Sequence, residues 1–335
     1  MRCRSNFVRA LLEDLMSRYQ GSVPGAGLLV LDAGMPAVRQ AYGMADLEQA
    51  RAATTATNYR LASVTKQFTA AAVLMLAEEP ALSLDAPVST WLPQLSAPAG
   101  EATVRQLLTH TSGLIDYEDL IPPDRCLPLQ DADVLTLLAA EPRLYFPAGS
   151  AYRYSNGGYA LLALVVQAVS GRSFATFLRE RLFTPLGMSG TAAHQEGISS
   201  VTERAYGYTQ IGGRWKRTDQ DLTSAVLGDG GVYSSIDDLA KWAAALDEGR
   251  LLRPESWRLA FTAVTPTADP AVRYGYGWRI TADTVWHSGE SVGFRNVIVR
   301  WPKQRLTVVI LTNRNEPEPY PFALALGRAL LSPSG

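Results

Sequence analysis

The sequence predicts an α+β fold, in which an antiparallel sheet is flanked by N- and C-terminal helices and packs beside a mainly helical lobe. Strand patterns lie towards both ends of the 335-residue chain, while helical patterns joined by Pro- and Gly-rich loops fill the middle. Distant strands that complete one sheet around inserted helices are typical of this class. We therefore predict a sheet lobe over 1–83 and 191–335, a helical lobe over 84–190, and an active site in the cleft between them.

The sheet is predicted from short apolar runs bounded by turn residues. Runs at 27–31 and 37–42 are separated by a turn that contains Gly34 and Pro36, which indicates a hairpin. A chain of this length can bury one large composite core or two closely packed ones. The other expected elements of this lobe are strands near 206–208, 215, 277–280, 294–301 and 306–311 and helices at 7–16, 236–246 and 321–331.

A helix at the centre of the molecule is predicted for residues 67–76. These residues are apolar on nearly every side, and Pro80 ends the pattern, so the helix is expected to be buried. Further helices are predicted in the middle segment, at 104–108, 133–140 and 159–169.

Composition excludes several classes of function. The net charge is -1 and charged residues make up 19% of the chain, so we expect no nucleic-acid partner. With only two cysteines, Cys3 and Cys126, we expect no disulfide framework. The three histidines lie far apart and match no metal-binding spacing, so we expect no metal and no cofactor.

The amino-terminal segment only superficially resembles a secretory signal. Arg9, Glu13 and Asp14 interrupt its apolar run, which favours an amphipathic surface helix. The uncharged stretch 154–171 has an apolar core too short to span a bilayer. We therefore expect no membrane partner and a cytoplasmic location, provided that Met1 is native.

Ser63 and Lys66 form the first candidate site. The extended segment 59–62 leads into the buried helix, and residues three apart share a helix face, so the Lys66 amine can lie beside the Ser63 hydroxyl. Helix N-terminal amides favour the negative charge that develops there. The alternative makes Ser63 an N-cap and Lys66 a solvated side chain. A lysine at the start of a buried helix needs partners or a lowered pKa, which favours a catalytic pair.

Tyr154 and Asn156 form the second candidate site. The Tyr154 hydroxyl can transfer protons if Lys66 is close, and the Asn156 amide can hold a substrate carbonyl. The alternative is helix capping by Ser155 or Asn156, with Tyr154 as a packing aromatic.

The third candidate site is the run from His287 to Glu290. Gly289 permits a close backbone approach, and the Glu290 amide can point into a cleft, where it would form an oxyanion hole with the amide of Ser63. His287, Ser288, Gly289 and Glu290 are therefore expected to bind substrate. The alternative is a histidine on an edge strand with a turn at Gly289.

These three motifs, SxxK at Ser63, YxN at Tyr154 and a [KH]-[ST]-G triplet at His287, occur in an order that resembles the serine penicillin-recognising enzymes. The similar branch contains class C β-lactamases, D-alanyl-D-alanine carboxypeptidases, D-aminopeptidases and family VIII carboxylesterases. Segments 107–114, 185–188 and 230–239 also look like family signatures, so the resemblance covers roughly residues 20–330.

The resemblance implies a β-lactamase/transpeptidase-like fold and a Ser63 acyl-enzyme that needs no cofactor, hydrolysed by water activated near Tyr154. His287 replaces the lysine of the β-lactamase triplet, which disfavours β-lactam turnover. We rank a small-molecule ester or amide hydrolase of the carboxylesterase kind first, a D-amino-acid peptidase second and a weak β-lactamase third. A catalytically inactive scaffold or binding protein of the same fold is the alternative from another class.

A competing nucleophile is Ser291, because residues 289–293 fit the GxSxG pattern of α/β-hydrolases. In that fold the catalytic histidine follows the serine, and no histidine follows His287 here. We therefore reject Ser291 in favour of Ser63.

Overall fold

A computed structural model describes residues 2–195 and 198–332 of the chain. Within these residues it has eleven α-helices and fifteen strands. The helices are α1 Arg2–Ser17, α2 Lys66–Ala77, α3 Val104–Leu108, α4 Asp131–Ala140, α5 Asn156–Ser170, α6 Phe174–Leu178, α7 Thr184–Leu186, α8 Leu227–Gly230, α9 Ile236–Asp247, α10 Pro254–Ala260 and α11 Tyr320–Leu331. The strands are β1 Ala26–Asp32, β2 Met35–Tyr42, β3 Met44–Asp46, β4 Arg51–Ala52, β5 Tyr59–Arg60, β6 Ala192–Ala193, β7 Tyr208–Ile211, β8 Arg214–Arg217, β9 Val232–Ser234, β10 Thr265–Pro266, β11 Arg273–Tyr274, β12 Arg279–Ile280, β13 Val285–Ser291, β14 Phe294–Trp301 and β15 Leu306–Thr312.

The main sheet has eight antiparallel strands in the order β10-β11-β12-β13-β14-β15-β1-β2. The interior strand β15 is buried along its whole length, because helices cover both faces. On one face α1 and α11 pack through residues such as Met16 and Leu326 against Trp301. On the other face Ile236 of α9 packs onto Gly27, where an added Cβ would lie 2.9 Å from the Ile236 Cγ2 atom. The predicted sheet with flanking terminal helices is confirmed.

The helical part of the molecule is organised around α2 and α5. Every residue of α2 from Lys66 to Leu76 is buried, as the predicted central helix requires. Ten consecutive residues of α5, from Gly157 to Val166, are also buried. Helices α3 to α7 all lie within residues 84–190, and the two lobe boundaries stay predictions.

Among the described residues, no single helix is both long and apolar enough to cross a bilayer. Helix α5 and the segment Phe174–Leu186 are long and apolar enough when taken together, but they meet at a bend of 76°.

Some predicted elements differ from the structure at their ends. The strand expected at 277–280 is reduced to β12, because Gly277 has a φ of +76° and lies in a turn. His287 was expected beside a strand and instead lies within β13. Cys126 is an exposed free thiol, while the side chain of Cys3 lies outside the described residues.

Candidate active site

Ser63 lies in a single 3₁₀ turn, Ala62–Thr65, between strand β5 and helix α2. The preceding residue, Ala62, has a φ of +49°, a left-handed conformation that is unfavourable for a residue with a Cβ. The turn is anchored by the Leu61 amide, which donates to the Val232 carbonyl at 2.8 Å. Helix α2 begins only at Lys66, so Ser63 is not its N-cap.

Lys66 is completely buried, which contradicts the alternative of a solvated first-turn side chain. Its Nζ donates to Ser63 Oγ at 3.1 Å, to Asn156 Oδ1 at 2.8 Å and to the Asp229 carbonyl at 2.9 Å. Three acceptors match the three donors of an ammonium group. The amine is therefore fixed against the serine hydroxyl by two contacts from other parts of the chain.

Asn156 and Tyr154 come from the start of helix α5. Ser155 is the N-cap, since its Oγ accepts the Gly158 amide at 3.2 Å, and this predicted capping is confirmed. Asn156 therefore keeps its side chain for Lys66, and its Nδ2 donates to Glu118 Oε1 at 2.8 Å. The Tyr154 ring centroid lies 4.9 Å from Lys66 Nζ. The first two predicted motifs thus meet at the Lys66 amine.

Sequence reasoning missed a group of buried acids behind Lys66. Burial raises the pKa of the Asp229 carboxyl to about 7, against the opposing charge of Lys66, and Tyr117 donates to this carboxyl at 3.3 Å. Burial also raises the pKa of Asp131 to about 6 and that of Glu118 above its usual value. Asp131 accepts the Leu227 and Gly228 amides, both at 3.0 Å. Asp131 therefore holds the turn that presents the Asp229 carbonyl to Lys66.

One of these acids, Asp229, lies beside a segment that the sequence analysis singled out. Asp229 directly precedes the Gly-rich 230–239 segment, which was recognised as a signature without a role for the acid.

His287 is buried and both of its ring nitrogens are engaged. Nδ1 lies 2.6 Å from the Ser288 carbonyl and donates to it, so Nε2 accepts from the Tyr274 hydroxyl at 2.9 Å. Burial and the charges of Arg279 and Lys66 hold the pKa of His287 well below its usual value. The imidazole is therefore neutral, and it supports Tyr274 instead of offering a free nitrogen to the cleft.

Strand β13 passes directly over the nucleophile turn at Gly289. An added Cβ at this position would lie 2.0 Å from the Leu61 carbonyl oxygen and 3.3 Å from the Ser63 amide nitrogen, so only glycine fits. Ser63, Asn156, Asp229 and Glu290 are among the residues that line a pocket of about 60 Å³. The Glu290 side chain is not the group expected to bind the oxyanion, because it is 69% exposed and paired with Arg295 at 2.6 Å. The role of the Glu290 main-chain amide as an oxyanion donor stays a prediction.

Ser291, the competing nucleophile, is at the end of β13. Its Oγ is buried without a hydrogen-bond partner among the described residues. No base in the described part of the chain hydrogen-bonds to this oxygen, in agreement with the rejection of Ser291 from the sequence.

Two further residues of the cleft had no assigned role. Arg279 places its guanidinium 5.5 Å from the Tyr154 ring centroid. His110 packs against the same ring, with centroids 4.3 Å apart and ring planes at 35°. His110 belongs to the 107–114 signature, while Arg279 lies in a predicted strand without any motif.

Comparison with known proteins identifies the family. A sequence model of the Beta-lactamase family matches residues 6–332. The chain is 29% identical to "Penicillin-binding protein 4*" of Bacillus subtilis, over 95% of this chain and 73% of that protein. It is 30% identical to "D-aminopeptidase" of Gluconobacter oxydans, over 96% of this chain and 62% of that protein, so the chain spans less than two thirds of that relative.

Among solved structures, the octameric penicillin-binding protein homologue from Pyrococcus abyssi matches with a TM-score of 0.85 and 26% identity. The match covers 98% of this chain and 77% of that one. The family match spans almost the whole described chain, and SxxK, YxN and HSG lie together around Ser63. The chain therefore belongs to the β-lactamase family and is a hydrolase with the fold of serine β-lactamases and penicillin-binding proteins.

Proposed function

We propose that the chain hydrolyses small esters and amides through an acyl-enzyme on Ser63. The observation that carries this proposal is the 3.1 Å contact between Lys66 Nζ and Ser63 Oγ inside a fully buried environment. A desolvated lysine at this distance from a serine hydroxyl can act as its base. The proposal also agrees with the hydrolase family to which the chain belongs.

The proposed reaction begins when Ser63 Oγ bonds to the substrate carbonyl carbon and its proton passes to Lys66. The amides of Ser63 and Glu290 hold the resulting oxyanion. Tyr154 then delivers a proton to the leaving oxygen or nitrogen as the carbonyl bond to it breaks. In the second half the deprotonated Tyr154 oxygen takes a proton from a water molecule, whose oxygen attacks the carbonyl carbon of the ester on Ser63. The bond from that carbon to Ser63 Oγ breaks, Oγ takes back the proton held by Lys66, and the acid is released.

Short-chain esters are the substrates that the cleft favours. The pocket at Ser63, of about 60 Å³, is far smaller than cavities that hold drug-sized ligands, so it suits a short acyl group. His287 is neutral and engaged with Tyr274, so this triplet supplies no cation for a charged substrate. An uncharged ester needs no cationic partner in the site.

Cleavage of D-amino-acid amides or peptides is the second candidate, and Arg279 favours it. The buried Nε of Arg279 has no hydrogen-bond partner among the described residues. The Arg279 guanidinium lies beside Tyr154, which protonates the leaving group in the proposed reaction. A carboxylate on that group would find a charged partner there. The Gluconobacter relative, a D-aminopeptidase, is consistent with this option.

The test is a panel of p-nitrophenyl acetate, p-nitrophenyl butyrate, a D-alanyl anilide and nitrocefin, together with fluorophosphonate labelling. We expect fastest turnover of the acetate ester and labelling of Ser63. Ser63→Ala should fold normally, lose the label and lose up to about 10⁶-fold in kcat. A folded wild-type chain that neither labels nor turns over any substrate would identify an inactive scaffold and refute the proposal.

A further inference from the structure

His110 binds the backbone on both sides of Tyr154. Its carbonyl accepts the Arg153 amide at 3.0 Å, and its Nδ1 accepts the Ser155 amide at 3.1 Å. His110 itself has a φ of +59°, a conformation that turns its side chain and carbonyl towards the same segment. The residue that carries the phenol is therefore held between two hydrogen bonds from one neighbour.

The His110 ring is also part of the wall behind the phenol. It is completely buried, packs at a tilt against Tyr154 and meets the Tyr274 ring edge-on with centroids 4.5 Å apart. Because Nδ1 accepts the Ser155 amide, the ring proton is on Nε2, which has no hydrogen-bond partner among the described residues. Burial and the charges of Lys66 and Arg279 hold the pKa of His110 well below its usual value.

We propose that His110 is a positioning residue that fixes the Tyr154 phenol beside Lys66 through its Nδ1 acceptor. The proposal rests on the proposed role of Tyr154 in proton transfer. Without the acceptor, the buried Ser155 amide loses its partner, and the turn that carries Tyr154 can shift. Misplacement of a reacting group by about 1 Å costs about 10²-fold in rate. Binding of substrate does not depend on this contact, so kcat should change and KM should not.

Two variants separate the acceptor from the ring. His110→Asn places its Oδ1 where Nδ1 stands and tolerates a positive φ, but it removes the stacking ring. His110→Phe keeps a ring and removes the acceptor. We expect the Asn variant to keep kcat within about 5-fold of wild type and the Phe variant to lose about 10- to 100-fold, with KM unchanged. If the Phe variant does not fold, His110→Gln replaces it, because the Gln carbonyl lies one bond farther out.

A double-mutant cycle with Tyr154→Phe tests whether His110 acts through the phenol. Tyr154→Phe alone should lower kcat by about 10²-fold or more. In the Tyr154→Phe background, His110→Phe should lower kcat by less than about 2-fold, since the hydroxyl that His110 positions is absent. Fluorophosphonate labelling and thermal unfolding of all variants establish that Ser63 and the fold are intact.

An equal loss from His110→Phe in both backgrounds, or an Asn variant as slow as the Phe variant, would overturn the positioning role. Full activity of Tyr154→Phe alone would instead refute the role of Tyr154 in the proposed mechanism, and this proposal with it.

Discussion

Gly289→Ala tests the closest backbone contact of the site. The added methyl group would lie 2.0 Å from the Leu61 carbonyl oxygen, whereas carbon–oxygen contacts normally begin near 3.3 Å. Strand β13 and the Ser63 turn must therefore separate by about 1.3 Å. Such a displacement removes the alignment of the oxyanion donors, and the loss of one such donor costs about 10² to 10³ in kcat. We expect this loss, about 2.7–4 kcal/mol of transition-state stabilisation, in p-nitrophenyl acetate hydrolysis.

Gly230→Ala is the matched control for this prediction. Gly230 lines the same pocket, and its added methyl group would meet the Ala62 Cα at 3.5 Å, an ordinary van der Waals contact. This variant should keep nearly full activity. If Gly289→Ala stays within about 3-fold of wild type while its melting temperature is unchanged, or if both variants lose activity equally, the close-contact reasoning is refuted.

Two further predictions concern stability. Asp229 has an ordinary pKa of 3.8 and a folded pKa of about 7, so its favourable contribution is present below pH 3.8 and is lost as the pH rises through 7. Between pH 4 and pH 8, the free energy of unfolding measured with urea should therefore change by about 4 kcal/mol in favour of Asp229→Asn relative to wild type. A difference between the two proteins that does not vary with pH would contradict this prediction. Arg300→Met leaves the buried Asp247 carboxylate with only the longer contact to Arg305 and should cost about 3–5 kcal/mol in the same assay. Arg172→Met, which breaks an exposed pair with Glu180, is its control and should have little effect; equal costs would count against the burial argument.

The sequence predicted the local part of the site and the general fold. Ser63 and Lys66 are three residues apart, so their contact follows from helical geometry alone. The long strands β1, β14 and β15 were predicted because their apolar runs are continuous. Strands of two residues, such as β5 and β12, were not predicted at their actual bounds, because pairing with distant partners and not a local pattern creates them.

The nonlocal part of the site could not be derived in the same way. The third acceptor for Lys66 is the main-chain carbonyl of Asp229. Every residue has such a carbonyl, so the type of residue does not predict this contact. The Nε2 atom of His287 is engaged by Tyr274, which lies on β11, with β12 between it and β13. Glu118 meets Asn156 from a separate turn, 38 positions away in the chain. Each of these contacts depends on how distant segments pack.

The order of strands in the main sheet has a consequence for synthesis of the protein. Strand β1 pairs with β15, and β13 covers the nucleophile turn, although the turn itself is complete by residue 66. A nascent chain that has emerged only as far as α9 carries Ser63 and Lys66 without the strand that shapes their surroundings. Pairings across such sequence distances form slowly. Catalytic competence is therefore acquired only after strands β13 to β15 have left the ribosome and joined the sheet.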